Sequence, residues 1–135
     1  MQLSLSLPFP AISGNHQHGI NWKAKRVFTV AKVKTYRLAL KSATLCDGYR
    51  GGPRFKAGLK LSVLVTMYPP DKRKRDQDNA EKVFFDACTR AGIWADDSQI
   101  KDKRVVWAEP VKGGLVHMEV KELAVTERDQ METRP

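Results

Sequence analysis

A chain of 135 residues makes about one domain, long enough to bury a single core without covalent staples. No run approaches the roughly 20 apolar residues a membrane helix needs, and the opening MQLSLSLPFP lacks the basic and long apolar regions of a signal peptide. Formal net charge is +9, and it is lopsided: residues 1–56 hold ten Lys and Arg against one acid, Asp47, whereas residues 57–135 hold fourteen of each sign. An excess confined to one part of the chain suits a polyanionic partner, most commonly nucleic acid, better than a general solubility charge. Cys46 and Cys88 sit among apolar neighbours outside any CxxC or Cys/His pattern, and read as buried thiols in a reducing cytoplasm.

The first element, QLSLSL at 2–7, alternates polar residues with Leu3, Leu5 and Leu7, the period of a half-buried strand that Pro8 and Pro10 end. Residues 11–28 collect Gly14, Asn15, Gly19 and Asn21 before Lys23, Lys25 and Arg26, and read as a basic loop; His16 and His18 within it read as surface residues. From about 31 to 45 the period lengthens, with Val33, Tyr36, Leu40 and Ala43 on one helical face and Lys34, Arg37 and Lys41 on another. Gly48, Gly51, Gly52, Pro53 and Gly58 mark 46–58 as a loop. LKLSVLVTMY then alternates cleanly as a strand, stopped by Pro69-Pro70.

The second predicted helix runs from about 79 to 91, with Asp78 and Glu81 as an N-capping box and Gly92 as the stop. Val83, Phe84, Ala87, Cys88 and Ala91 form its apolar stripe. Residues 103–109 and 115–122 read as strands around PVKGG, and a polar tail from 124 to 135 is expected to fray. The order β-α-β-α-β-β predicts a single α+β domain over 1–123, with a small mixed sheet and two main helices.

Chemistry concentrates at DKRKRDQDN, 71–79, where four cations, Lys72, Arg73, Lys74 and Arg75, precede Asp76 and Asp78. Side chains two apart on an extended segment point the same way. Adjacent carboxylates repel unless a cation lies between them, and hard divalent ions such as Mg²⁺ prefer carboxylate oxygens. A second acidic pair, Asp96-Asp97, follows the helix. Lys82, one turn after Asp78, can face the same spot and neutralise charge developing on a phosphate. The same residues also suit plainer work: Asp78 as a cap, Asp76 at the positive end of a helix dipole, Asp96-Asp97 as loop acids. A helix of that length spans roughly 20 Å, and five residues beyond Gly92 are too few to bring Asp97 comfortably back beside Asp78. A shared metal site would then draw ligands from a second subunit, which leads to the expectation of a homodimer.

KRDQDNAEKVFFDACTRAGIWADDSQI, residues 74–100, resembles the central signature of the RusA-type Holliday-junction resolvases, the crossover junction endodeoxyribonucleases of bacteria and phages. The likeness continues through DKRVVWAEPVKGGLVHMEV, 102–120, and more loosely to LSLPFPAISGNHQH at the start. The resemblance implies that Asp76, Asp78 and Asp97 are essential carboxylates holding Mg²⁺, with Mn²⁺ as a substitute, and that Asp96 is the neighbouring acid. It implies roles for Lys82 and Arg75 in catalysis or junction binding. It also implies a homodimer that cuts two strands of a four-way DNA junction at symmetric positions. Asn15, Lys23, Lys25, Arg26 and Lys72 to Arg75 are the expected DNA contacts. The family's first loop usually carries aromatic and basic residues after its Asn, where this chain has His16 and His18.

The reading that results is a cytoplasmic, Mg²⁺-dependent junction endonuclease of a bacterium or an infected cell. A junction- or DNA-binding module without catalysis is the alternative, distinguished by binding that survives Asp78→Asn with the DNA uncut. An RNA-binding protein is a third, for which Trp22, Tyr36, Trp94 and Trp107 are too scattered to form a stacking platform; Trp94 and Trp107 read as core.

Overall fold

The computed structural model describes residues 2–10, 18–21, 26–29, 31–45 and 51–123, with 18–21 and 26–29 described by their backbone. The elements run β1 (Gln2–Leu7), β2 (His18–Asn21), β3 (Arg26–Thr29), α1 (Ala31–Thr44), β4 (Leu61–Tyr68), α2 (Gln77–Arg90), a 3-10 turn (Asp97–Gln99), β5 (Ile100–Trp107) and β6 (Leu115–Glu122). The expected α+β class and its six main elements are present. One correction concerns 11–28: part of the expected loop pairs as an antiparallel ribbon, β2 against β3. Another moves β5 three residues earlier than its apolar run suggested, because parallel pairing with β4 begins at Ile100. Asn15, Lys23, Lys25, Cys46 and the tail 124–135 lie outside the described residues.

The main sheet is ordered β1-β6-β4-β5. β6 is antiparallel to both β1 and β4, whereas β5 is parallel to β4. Parallel neighbours require a crossover, and α2 is that crossover. Alternation in β4 buries Leu61, Val63, Val65 and Met67, while Val116, Met118 and Val120 of β6 are buried beside them. The apolar stripes of both helices cover this face: Val33, Tyr36 and Leu40 from α1, and Val83, Phe84, Ala87 and Cys88 from α2. Truncating a fully buried ring such as Phe84 to Ala would cost about 3–5 kcal/mol. Trp94 is fully buried, as expected of a core residue, and Trp107 packs half-buried at the core's edge.

Two ties position the chain around α2. The Tyr36 hydroxyl donates to the Pro8 carbonyl at 2.8 Å, fixing the exit of β1 onto α1. α2 ends in paired backbone bonds, Gly92 N–H to Thr89 O and Ile93 N–H to Cys88 O, with Gly92 in the left-handed region (φ +80°). The chain thereby reverses tightly and enters the loop carrying Asp96 and Asp97.

Candidate active site

The segment between β4 and α2 is tied by its own charges. The Asp71 carboxylate accepts from the Arg73 N–H at 2.9 Å and pairs with Arg75 at 2.8 Å. That first contact, helped by the Arg75 guanidinium, holds the Asp71 carboxyl below the usual carboxylate range. Arg75 also donates to the carbonyls of Asp71 and Arg73 and lies 5.7 Å from the centroid of the Phe9 ring. Arg75 is therefore folded inward as a strut, whereas Lys72, Arg73 and Lys74 face solvent.

The predicted cap shifts by two residues. Asp76, not Asp78, is the N-cap of α2: its backbone is extended (φ −78°, ψ 103°), and its carboxylate accepts from the Asn79 N–H at 3.2 Å and the Asn79 side-chain amide at 2.7 Å. The expected Asp78–Glu81 box does not form; Glu81 instead accepts from the Trp107 indole N–H at 3.0 Å. The alternation expected across Asp76-Gln77-Asp78 also fails, because the helix has already begun at Gln77. Asp78 consequently lies on the outer face of α2, its carboxylate with no hydrogen bond or ion pair among the described residues.

Helical spacing sets Asp78, Lys82, Phe85 and Asp86 along one face, and this face floors an open groove. Arg37 of α1, Asp97 of the 3-10 turn and Lys103 of β5 complete its lining. Asp86 is occupied by two arginines, Arg37 at 2.8 Å and Arg90 at 3.0 Å. Lys82 lines the groove with no ion pair among the described residues.

Asp97 enters the groove through the 3-10 turn. Asp96 caps that turn, accepting from the Ser98 N–H at 3.0 Å. Gln99 was not singled out in the sequence, yet it fixes the loop: its Oε1 accepts from the N–H groups of Ala95 and Asp96, and its Nε2 donates to the carbonyls of Lys56 and Leu59. The signal that could have found it was the Asp96 to Gln99 spacing of a capping box. The two acids part in proton affinity. Asp97 is raised, chiefly by its contact with the Asp96 carboxylate, then by desolvation and by the charges of Asp96 and Asp86. Asp96 is lowered, first by the Ser98 N–H.

Asp78 and Asp97 both line this groove, and the acids whose charges act on Asp97 are Asp96 and Asp86. The 3-10 turn carries Asp97 into the lining of a groove that α2 also lines. No three of His, Cys, Asp and Glu converge as a metal cluster among the described residues. Arg26 opens β3, opposite Asn21. No helix among the described residues is long and apolar enough to cross a membrane.

A mixed sheet whose crossover helix sets one acid without an ion pair among the described residues, Asp78, and a lysine, Lys82, into a groove shared with Asp97 is an arrangement suited to phosphodiester chemistry. The family model described as endodeoxyribonuclease RusA matches residues 8–121, which include every element of the groove. A crossover junction endodeoxyribonuclease RusA of Escherichia coli strain K12 is 33% identical over 124 residues, covering 89% of this chain and 94% of its own length. Its counterpart in Shigella sonnei aligns to the same extent. The enzyme of that name from Enterobacteria phage 82 is 40% identical over 74 residues, covering 53% of this chain and 62% of its own length. The chain belongs to the RusA family of endodeoxyribonucleases.

Proposed function

We propose that the α2 groove is the catalytic face of a Mg²⁺-dependent endonuclease that resolves four-way DNA junctions by paired, symmetric phosphodiester hydrolysis. The observation carrying this reading is that Asp78, Lys82 and Asp97 line one groove of a RusA-family chain whose preceding segment exposes Lys72, Arg73 and Lys74. The relatives' name, crossover junction endodeoxyribonuclease, supports the choice of branched DNA as substrate.

The donors fit a hard divalent cation. Mg²⁺ usually takes only one or two protein carboxylates and fills its remaining positions with water and substrate phosphate. A three-acid cluster within one chain is therefore unnecessary. Asp97 is crowded by Asp96 and Asp86, and a cation relieves that repulsion. Asp78 and Asp97 would hold the ion, with Asp96 and Asp76 beside them. When bound, the ion polarises the phosphate and lowers the pKa of a coordinated water.

The remaining tasks fall to the chain itself. Lys82 faces the phosphate and offsets the negative charge that grows as the bond breaks. Lys72, Arg73 and Lys74 hold the flanking backbone, and Arg75 keeps their segment in place from within. Asp76 secures the start of α2, which fixes where Asp78 stands. Paired nicking requires two such grooves, and a homodimer presents them with two-fold symmetry matching that of the junction.

The test is incubation of the protein with a labelled four-way junction and a matched linear duplex, in Mg²⁺ and in EDTA. Metal-dependent symmetric nicks in the junction, with the duplex intact, are expected. Binding without cuts in either Mg²⁺ or Mn²⁺ would overturn the catalytic reading in favour of a DNA-binding module.

A further inference from the structure

The edge of the main sheet carries a charge on its core-facing side. β5 pairs with β4 as Val63 with Lys103, Val65 with Val105 and Met67 with Trp107, all on the side the helices cover. Val105 and Trp107 pack against the core accordingly, but Lys103 reaches out into the α2 groove. Its ammonium sits 4.9 Å from the centroid of the Phe85 ring. That ring is firmly held, stacked on Trp94 at 6.2 Å and edge-on to Phe84 at 5.3 Å. Of the groove's four cations, Arg37 and Arg90 are engaged by Asp86. Lys82 and Lys103 have no ion pair among the described residues, and both share the groove with Asp78 and Asp97.

We propose that Lys103 is a second phosphate-binding residue of this groove, steadied by Phe85 so that its ammonium meets the DNA strand across from Lys82. The assignment rests on the groove being the catalytic face. A rigid aromatic seat lowers the entropy lost when a long side chain is fixed on its ligand, and the groove has no other unpaired cation besides Lys82 among the described residues. A charge on the inner side of an edge strand has another use, since it discourages pairing with a second sheet. That role would leave DNA binding unaffected.

The two roles separate in a salt titration. Lys103→Met keeps the apolar stem against Phe85 and removes the charge; Lys103→Arg keeps the charge. Binding of a four-way junction is measured over a salt series in EDTA, and single-turnover cleavage in Mg²⁺, with the full chain. For Lys103→Met, the slope of log affinity against log salt is expected to fall by about one. Affinity at low salt should drop about fivefold and cleavage about tenfold, with Lys103→Arg within about twofold of wild type on both. A wild type that cuts the junction, with Lys103→Met unchanged in slope and rate, overturns the proposal and leaves the groove's catalytic role standing, even if the variant aggregates. A wild type that neither binds nor cuts the junction removes both.

Discussion

Gln99 spends its whole amide on the backbone. It accepts from two N–H groups on one side of the acidic turn and donates to two carbonyls of the 56–59 segment on the other. Gln99→Leu matches its size but strands those groups in a buried place, and should cost about 2–4 kcal/mol in urea unfolding. It should also slow cleavage, because the turn that aims Asp97 loosens. Asp97 itself works against the fold. Its carboxyl is raised, so the folded state holds that proton more tightly than the unfolded chain does. The contribution of Asp97 to stability is therefore fully present below the ordinary carboxylate range, is lost as pH climbs through the raised value, and stays absent above it. Asp97→Asn removes that penalty while keeping an amide to donate to Asp96. The variant is expected to melt higher than wild type at neutral pH, with the difference vanishing in acid. Asp71 has the opposite sign: its lowered pKa gives stability that is present above the ordinary range and lost as pH falls through the depressed value. Asp71→Asn should melt lower than wild type at neutral pH and converge with it in acid.

At the scale of elements, α2 combines a cap, an apolar stripe and the groove floor. The cap and the groove can be pulled apart, since Asp76 caps and Asp78 does not. Asp76→Ala should cost about 1 kcal/mol, whereas Asp76→Asn, an equally good cap, should cost almost nothing; thermal melts check both. If Asp76→Asn melts like wild type yet cleaves poorly, its charge serves the chemistry as well as the helix. The helices and β4 were readable because 3.6- and 2-residue periods are written directly into Val33-Tyr36-Leu40 and LSVLVTMY. The cap was misread because Asp76 and Asp78 each have a capping residue's chemistry, and only the backbone angle at Asp76 decides between them. The ribbon formed by His18–Asn21 and Arg26–Thr29 left too little apolar alternation to be seen.

Across the whole molecule, topology does what sequence spacing cannot. Asp78 and Asp97 were both legible as candidate ligands, from charge type and from their place at helix ends. Their meeting in one groove was not, because it depends on the reversal at Gly92 and the turn that Gln99 holds. Lys103 was invisible for a related reason: facing the helices is a property of strand register, which no local pattern of charges records. The charge asymmetry acts at this scale too. With the net +9 confined to residues 1–56 and further cations at Lys72 to Lys74, junction binding should weaken steeply with salt.

The central claim is that the groove acids cut DNA and do not merely shape the fold. It is tested most directly by measuring junction binding and junction cleavage side by side, in Mg²⁺, for wild type, Asp78→Asn and Asp97→Asn. Both variants should lose cleavage by about a hundredfold or more while binding as tightly as wild type or tighter, since a negative charge facing phosphate is gone. Variants that still cut at near wild-type rate, or whose cleavage falls only in proportion to weakened binding, would contradict it.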